Sequence, residues 1–274
     1  MIDTHVHFWN YNRDEFPWIG DHQPSLKQNR LPCDLAALTA EHITGLIAVQ
    51  ARPTLSENSF LLQLAQDFPI IKGVIGWCDF DACIEPQLEA AASHALIKGF
   101  RHLIQDEPQP SLYLSEHAGL QHGVRVMQQR KYIYEVLAHQ ADLPAVVSFC
   151  MRHDKHWLVI DHLCKPAFAG QAAFDWWQVH MRKLATLPHV VVKISGLVTE
   201  AGTNASAADL QPYVDAVWTL FGSERLLWGS DWPVSSATHS YADLLAYWKE
   251  NTRHLPQAEA HQIQLATPVK IYQL

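Results

Sequence analysis

Eight short apolar segments alternate with longer helical patterns along this 274-residue chain, and this alternation constrains the fold more than any other feature. The segments are residues 2–7, 44–49, 70–77, 98–103, 132–137, 158–163, 190–195 and 226–231. Each has the length and the apolar or β-branched residues of a buried parallel strand. Eight strand-and-helix units in about 250 residues are typical of an α/β fold of the (β/α)8 TIM-barrel type. The sequence therefore predicts one barrel domain over residues 1–274.

A doubly wound open sheet is the alternative fold for alternating strands and helices. That fold usually has a glycine-rich turn after its first strand, whereas this chain continues with the long aromatic stretch FWNYNRDEFPWIGD at 8–21. The barrel is therefore the preferred interpretation. The helical patterns between the strands cover residues 34–42, 55–68, 85–96, 117–130, 142–153, 172–186, 207–221 and 239–253.

Local signals support several of these helices. Thr54 with Glu57, and Ser206 with Asp209, have the spacing of N-terminal capping boxes. The segment AVVSFC at 145–150 has strand propensity. Because a predicted strand already precedes it, we assign this segment to a helix.

Composition and charge disfavour several classes of protein. The net charge of −8 argues against nucleic acid or an anionic membrane surface as the partner. No apolar run approaches the roughly 20 residues of a membrane-spanning helix, and the first residues do not resemble a secretory signal. The five cysteines form no CxxC pair, and a chain of this size needs no disulfide to fold. These features predict a cytoplasmic protein and leave open whether it forms homo-oligomers.

Two histidines at the end of the first predicted strand are the first functional candidates. His5 and His7 are two residues apart, so both side chains of a strand point to one face. His162 and Asp231 stand at the ends of the sixth and eighth predicted strands, and these ends meet at the active-site mouth of a barrel. Imidazole nitrogens and a carboxylate are typical ligands of Zn²⁺. A lone histidine pair is more often structural, but four ligand-type residues at one mouth favour a site.

Several motifs together resemble the amidohydrolase superfamily, which carries HxH on the first strand and Asp on the eighth. More narrowly, the chain is similar to the sugar-lactone hydrolase branch that includes L-fuconolactonases and L-rhamnonolactonases. GFRHLIQDEP at 99–108 and GSDWPV at 229–234 are the most specific motifs, and Cys164 departs from the glycine that the family has in HLCKP. Matching stretches follow in order through nearly the whole chain, at 2–19, 46–58, 73–80, 98–108, 159–166, 191–201 and 226–234. The resemblance implies a metallo-dependent hydrolase barrel that opens a small-molecule sugar lactone.

The same resemblance implies at most one metal ion. Members with two ions place a carboxylated lysine or a glutamate on the fourth strand. This chain has Arg101 and His102 there. The positive charge of Arg101 would repel a second cation. The expected ligands of one divalent ion, with Zn²⁺ the candidate, are His5, His7, His162 and Asp231. Since lactones are activated esters, the sequence leaves open whether the ion is dispensable.

Catalytic roles can be assigned on the same basis. Asp231 is the candidate general base for water. Arg101 and His102 are candidates for stabilising the oxyanion or protonating the ring oxygen. Regular alternation places these two side chains on opposite faces of the strand. The alternative for Arg101 is a structural salt bridge to Asp106 or Glu107.

Recognition of a sugar needs fixed donors and acceptors, together with apolar surface. Gln50 and Gln105 lie at or just after predicted strand ends and suit the hydroxyl groups. Trp9, Trp77 and Trp232 lie in similar positions and could stack on the sugar ring. Each tryptophan could equally be part of the core.

Two other functions remain as alternatives. The first is hydrolysis of a cyclic dicarboxylate lactone, or decarboxylation, on the same scaffold. Such a site would need further arginines near strand ends, and the sequence offers few besides Arg101. The second is a non-catalytic sugar-binding barrel, which is disfavoured because all four ligand-type residues are present. A metal-dependent DNase is disfavoured by the net charge and by the missing glutamate on the fourth strand.

Overall fold

The computed structural model describes residues 1–39 and 43–274, and eight parallel strands form its centre. The strands are β1 Ile2–Val6, β2 Gly45–Val49, β3 Ile71–Gly76, β4 Ile97–His102, β5 Ile133–Val136, β6 Leu158–Ile160, β7 Val190–Ile194 and β8 Leu226–Trp228. They follow one another around the sheet in chain order. A parallel bridge between Val6 and Trp232, and a 2.9 Å hydrogen bond from the Asp231 N–H to the His5 carbonyl, join the β8 end to β1. The predicted (β/α)8 barrel is confirmed.

Most of the helices pack on the outward side chains of the strands. They are α1 Pro32–Thr39, α2 Leu55–Asp67, α3 Ile84–Ala92, α4 Pro110–Glu116, α5 Ala118–Gln129, α6 Leu143–Arg152, α7 Gln171–Ala185, α8 Leu197–Ala201, α9 Ala207–Phe221, α10 Tyr241–Thr252, α11 Gln257–His261 and α12 Thr267–Tyr272. One large apolar cluster joins outward strand residues such as Val74 and Val192 to helix residues such as Leu61 and Trp177. Within residues 1–39 and 43–274, no helix is both long and apolar enough to cross a membrane.

The interior of the barrel contains a second apolar core. Inward side chains of the strands, among them Ile47, Ile75 and Val191, pack there with Ile271 and Tyr272 of α12. Because this core includes residues near the amino ends of several strands, α12 covers the N-terminal mouth of the barrel. The opposite, carboxyl-terminal mouth is left for a site.

Helix prediction was accurate for the long elements and weaker at their ends. The segment 145–150 lies in α6, as predicted, and Ser206 with Asp209 forms a capping box at α9. The capping box predicted at Thr54 does not form: the Thr54 side chain makes no capping hydrogen bond, and Glu57 accepts instead from the Ala51 N–H at 3.0 Å. The predicted helix 34–42 corresponds to α1, and its residues 40–42 lie outside the described residues.

Candidate active site

Four ligand-type side chains meet at the carboxyl-terminal mouth of the barrel. His5 Nε2 lies 3.2 Å from His7 Nε2 and 3.7 Å from Asp231 Oδ1. Asp231 Oδ1 also lies 3.4 Å from His7 Nε2 and 3.9 Å from His162 Nε2. All four residues are buried. Side chains that the sequence places near the ends of three different strands thus form one His–Asp cluster.

Hydrogen bonds behind two of the rings determine which nitrogen faces this cluster. His7 Nδ1 lies 2.8 Å from the carbonyl oxygen of Val49. Because a carbonyl only accepts, Nδ1 carries the proton and the lone pair of Nε2 faces the cluster. His162 Nδ1 is anchored in a similar way by Ser195 Oγ at 2.8 Å. Both imidazoles are therefore held with Nε2 toward Asp231.

The backbone that carries His162 is wound in the left-handed sense. The angle φ is positive at four successive residues, from 51° at His162 to 45° at Lys165. This conformation costs a non-glycine residue about 1–2 kcal/mol, and such strain concentrates at functional sites. Cys164 has a φ of 59°. The glycine expected there from the family resemblance thus has a physical reason, since glycine adopts this conformation without the cost.

Close packing behind His162 requires a glycine at position 196. Gly196 has a φ of 65°, and a Cβ there would lie 2.7 Å from His162 Nδ1. Any side chain at this position would push against the imidazole. Gly196 also precedes α8, so it fixes the start of a helix that reaches the same mouth.

Burial and the neighbouring rings set the charge state of the cluster. Burial raises the pKa of Asp231, but the adjacent His162, His7 and His5 outweigh it, and the net pKa lies below the usual range. Burial lowers the pKa of His162 to about 4. Burial, with the Lys193 charge, lowers the pKa of His5 well below its usual value. At neutral pH Asp231 is therefore a carboxylate beside the neutral imidazoles of His5 and His162, which is the protonation state that metal binding requires.

Four of the distances within the cluster suit a bound metal ion. Ligand atoms about 2.1 Å from Zn²⁺ are separated by about 3.4 Å along the edges of a tetrahedron, and the four contacts above span 3.2–3.9 Å. His5, His162 and Asp231 each offer one ligand atom within 4.8 Å of the others, and this group of three does not include His7. Arg101 opposes the fit at one ligand, because its Nη1 lies 3.2 Å from His5 Nε2 and its charge repels a cation there.

The guanidinium group of Arg101 points into the barrel from β4. Nη1 donates to Asp161 Oδ2 at 3.0 Å, and Nη2 donates to the carbonyl oxygen of Gln50 at 2.6 Å. Its salt-bridge partner is therefore Asp161, not Asp106 or Glu107. Arg101 lines the cavity at the mouth, and its Nε has no hydrogen-bond partner among the described residues. A positive charge thus faces the space next to the His–Asp cluster.

His102 lies on the other face of β4, because adjacent residues of a strand point to opposite sides. Its Nε2 lies 2.6 Å from Glu107 Oε1, and Trp77 Nε1 donates to its Nδ1 at 3.2 Å. Its ring stacks on Tyr113 at 5.0 Å. His102 and Trp77 therefore lie together outside the cavity, and their predicted roles in it have no geometric support.

A cavity of about 260 Å³ opens over the His–Asp cluster. Pockets for drug-sized ligands measure about 300–1,000 Å³, so this one suits a smaller ligand such as a monosaccharide derivative. The predicted site residues that line it are His7, Arg101, Gln105, His162 and Asp231.

Three of the predicted binding residues belong to the surrounding core. Gln50 is buried, and its side-chain nitrogen donates to the Arg101 carbonyl at 3.4 Å. Trp9 packs in a small apolar cluster and donates to a backbone carbonyl at 2.9 Å. Trp232 is buried against Phe8, with 5.9 Å between ring centroids. Neither tryptophan offers its face to the cavity.

Polar and aromatic residues that were not predicted to bind the substrate also line the cavity: Trp18, Gln23, Asp106, Lys165 and Thr199. All lie in segments that follow the carboxyl ends of strands, where barrels build their sites. Trp18 is partly exposed and stands edge-on to Trp9 at 5.6 Å. Position after a strand end is the sequence feature that could have identified them.

Besides Arg101 Nε, two oxygen atoms of the lining are buried and unpaired. Gln105 Oε1 and Thr199 Oγ1 have no hydrogen-bond partner within the described part of the chain. A buried polar atom left without a partner costs about 1–3 kcal/mol. Both atoms are therefore suited to pair with hydroxyl groups of a bound ligand.

Similarity to known proteins agrees with this geometry. A family model described as amidohydrolase matches residues 2–274. The chain belongs to the amidohydrolase family. An L-fucono-1,5-lactonase from Burkholderia multivorans is 40% identical over 289 aligned residues, which cover 100% of this amidohydrolase and 96% of the relative. An L-fucono-1,5-lactonase from Burkholderia ambifaria is 32% identical over 90% of this chain and 84% of its own.

A related crystal structure contains a metal. The structure of an amidohydrolase from Burkholderia multivorans with bound zinc has a TM-score of 0.93 to this amidohydrolase and 40% sequence identity. The match covers 100% of this chain and 99% of that one. A probable 2-pyrone-4,6-dicarboxylic acid hydrolase from Acinetobacter baumannii, at 19% identity with a TM-score of 0.82, covers 100% of this chain and 99% of its own and shares the fold.

Proposed function

We propose that this amidohydrolase hydrolyses the ester bond of a sugar-acid lactone, with L-fucono-1,5-lactone as the first substrate to test. One observation carries the proposal. A buried His–Asp cluster lies at the mouth of a barrel whose sequence is 40% identical, over its full length, to an L-fucono-1,5-lactonase. The small cavity over this cluster accommodates a ligand of that size.

Asp231 acts as the general base. Its carboxylate takes a proton from water as the water oxygen bonds to the lactone carbonyl carbon. When the bond between that carbon and the ring oxygen breaks, Asp231 returns the proton to the ring oxygen, which leaves as a hydroxyl group. The lowered pKa of Asp231 keeps it ionised at neutral pH. The same shift makes it a weak base, so it works best on water of increased acidity.

One divalent ion, with Zn²⁺ the first candidate, is held by His5, His7, His162 and Asp231. Such an ion supplies Lewis-acid chemistry, since it polarises a carbonyl group and increases the acidity of water. The zinc in the related crystal structure and the convergence of His5, His162 and Asp231 support this assignment, and His7 Nε2 lies 3.4 Å from Asp231 Oδ1.

Arg101 stabilises the negative charge that develops on the carbonyl oxygen, because its guanidinium group is already oriented in the cavity wall. Gln105 and Thr199 pair with sugar hydroxyl groups through their unpaired oxygen atoms. Trp18 covers an apolar face of the sugar ring from the outer rim.

The charges of the cavity favour a neutral substrate over a dicarboxylate. The cations Arg101 and Lys165 line the cavity, but each lies near a carboxylate, Asp161 at 3.0 Å and Glu200 at 3.6 Å. A second carboxylate on the substrate would therefore find no free cation in the described lining. A neutral polyol lactone has no second carboxylate and therefore needs no further cation.

A pH-indicator assay on a panel of aldonolactones tests the proposal, because ring opening releases a proton. The panel begins with L-fucono- and L-rhamnono-lactones and includes galactono- and arabinono-lactones, with spontaneous opening subtracted. We expect rapid hydrolysis of one stereochemical series, reduced by chelation and restored by Zn²⁺. Folded, zinc-supplemented protein that opens none of these lactones would contradict the proposal.

A further inference from the structure

A second buried group of ligand-type atoms lies inside the barrel, next to the His–Asp cluster. This interior cluster consists of Glu135 on β5, Asp161 directly after β6, and Nδ1 of His5, which lie within 4.8 Å of one another. All three side chains are fully buried. His5 is shared, because its Nε2 faces Asp231 at 3.7 Å while its Nδ1 faces Asp161 at 3.5 Å.

The ammonium group of Lys193, from β7, ends in the middle of the interior cluster. Its Nζ lies 2.7 Å from Glu135 Oε2, 3.1 Å from Asp161 Oδ1 and 3.1 Å from His5 Nδ1. These are the three groups that could serve as ligands of a metal ion. Lys193 is itself fully buried. A buried ammonium ion is stable only when such partners surround it, so the cluster and the lysine depend on each other.

We propose that the ammonium ion of Lys193 takes the place of a metal ion in the interior cluster, and thereby excludes a second ion from this barrel. This inference rests on the proposed function in one respect, namely that the His–Asp cluster binds one ion. The description of the interior cluster depends only on the contacts given above.

Charge balance supports this reading. Two carboxylates, Glu135 and Asp161, face two cations, Lys193 and Arg101. Removal of the ammonium ion would leave an excess negative charge enclosed by ligand atoms. A cation bound among the ligand atoms would offset this charge, because buried carboxylates are tolerated when they are paired or coordinate a metal. Without a bound cation, Glu135 takes up a proton, since burial already raises its pKa to about 7.

Contacts on the far sides of the carboxylates keep the cluster ordered without the lysine. Tyr272 of α12 donates from its hydroxyl to Glu135 Oε1 at 2.8 Å, and Arg101 donates to Asp161 Oδ2 at 3.0 Å. Zinc binds nitrogen and oxygen at about 2.0–2.2 Å. From the contacts at 2.7 and 3.1 Å, the ligands would move inward by about 0.5–1.1 Å to bind an ion at the Nζ position.

Zinc stoichiometry tests the inference without any lactone. The set comprises the full-length wild type, Lys193→Ala, Lys193→Ala/Glu135→Gln and Lys193→Ala/His162→Gln. Each protein is stripped with chelator and dialysed against buffered Zn²⁺, and zinc per chain is measured by plasma mass spectrometry. We expect Lys193→Ala to hold one more zinc ion than the wild type. Glu135→Gln should abolish the extra ion, whereas His162→Gln, in the other cluster, should leave it in place.

Folding provides a second readout, because metal-free Lys193→Ala carries two carboxylates without their lysine. Refolding from urea and the thermal midpoint are therefore measured with and without Zn²⁺. Zinc should increase the fraction of protein that refolds and raise the thermal midpoint. Both increases should be larger for Lys193→Ala than for the wild type. A folded Lys193→Ala protein with no more zinc than the wild type overturns the proposal, and so does a variant that fails to refold whether or not zinc is present. Either result leaves the proposed lactone hydrolysis untouched, since no turnover is measured.

Discussion

Replacing Gly196 by alanine should displace His162 and slow lactone hydrolysis. The new Cβ would lie 2.7 Å from His162 Nδ1, about 0.7 Å closer than the 3.4 Å at which ordinary contacts begin. The φ of 65° adds about 1 kcal/mol of backbone strain for alanine. Relief of the clash requires movement of the imidazole or of α8. Because a 1 Å misplacement can cost on the order of 10²-fold in rate, we expect kcat/KM to fall by about 10- to 100-fold, or about 1.4–2.7 kcal/mol of transition-state stabilisation.

Gly222→Ala is the matched control for this variant. Gly222 has a φ of 68° at the end of α9, and its Cβ would meet no described atom within 4 Å. Alanine there should cost about 1–3 kcal/mol of stability without touching the cavity. Urea unfolding should show a loss of stability in both variants, while steady-state kinetics on L-fucono-1,5-lactone should show a loss only for Gly196→Ala. Unchanged kcat/KM in Gly196→Ala, or an equal loss in Gly222→Ala, would refute the reasoning about His162.

Four further outcomes are expected. Arg101→Lys keeps a positive charge but loses the paired N–H groups of the guanidinium, so kcat on the lactone should fall by roughly 10²-fold; a wild-type kcat would exclude Arg101 from oxyanion stabilisation. Thr199→Val removes a hydroxyl that pairs with no described group, so KM for the lactone should rise by about 5- to 10-fold. The free energy of unfolding in urea should change by less than about 0.5 kcal/mol. An unchanged KM would count against contact between Thr199 and the substrate. His102→Gln should leave kcat/KM unchanged in the same assay, because His102 lies outside the cavity, and a large loss would show that it takes part. Burial lowers the pKa of His153 to about 4, so the unfolded chain binds more protons between about pH 6.5 and pH 4, and urea unfolding should show stability falling by up to about 2 kcal/mol as the pH drops through this window. His153→Asn should make that part of the profile less steep, while His5 and His162 still contribute to it; a profile identical to the wild type would argue against the assignment.

Strand geometry explains why much of the site could be predicted from the sequence. A period of two residues fixes that His5 and His7 share a face, and a barrel brings all carboxyl ends of its strands to one mouth. His162 and Asp231 could therefore be grouped with them although they lie far away in the chain. The same period could not decide which of Arg101 and His102 points into the barrel, because that depends on the register of β4 with its neighbouring strands. The structure turns Arg101 inward.

Cavity residues beyond the strand ends could not be predicted in the same way. Trp18 lies in the loop after β1 and Thr199 lies in the short helix α8, where the two-residue period of a strand no longer relates position to side-chain direction. A tryptophan near a strand end has the same sequence pattern whether it is packed, as Trp9 and Trp232 are, or lines a cavity. The pairing of Lys193 in the interior cluster depends on contacts between strands, which local sequence does not record.

The proposed mechanism depends on Asp231, which activates water for attack on a sugar lactone. The most direct measurement compares initial rates of L-fucono-1,5-lactone hydrolysis by the wild type and by Asp231→Asn, with a pH indicator and with thermal unfolding as the check on folding. Asparagine keeps the shape of the side chain but cannot accept the proton. We predict rapid hydrolysis by the wild type and a loss of about 10²- to 10⁴-fold in the folded variant. A folded Asp231→Asn protein that retains the wild-type rate would contradict the claim.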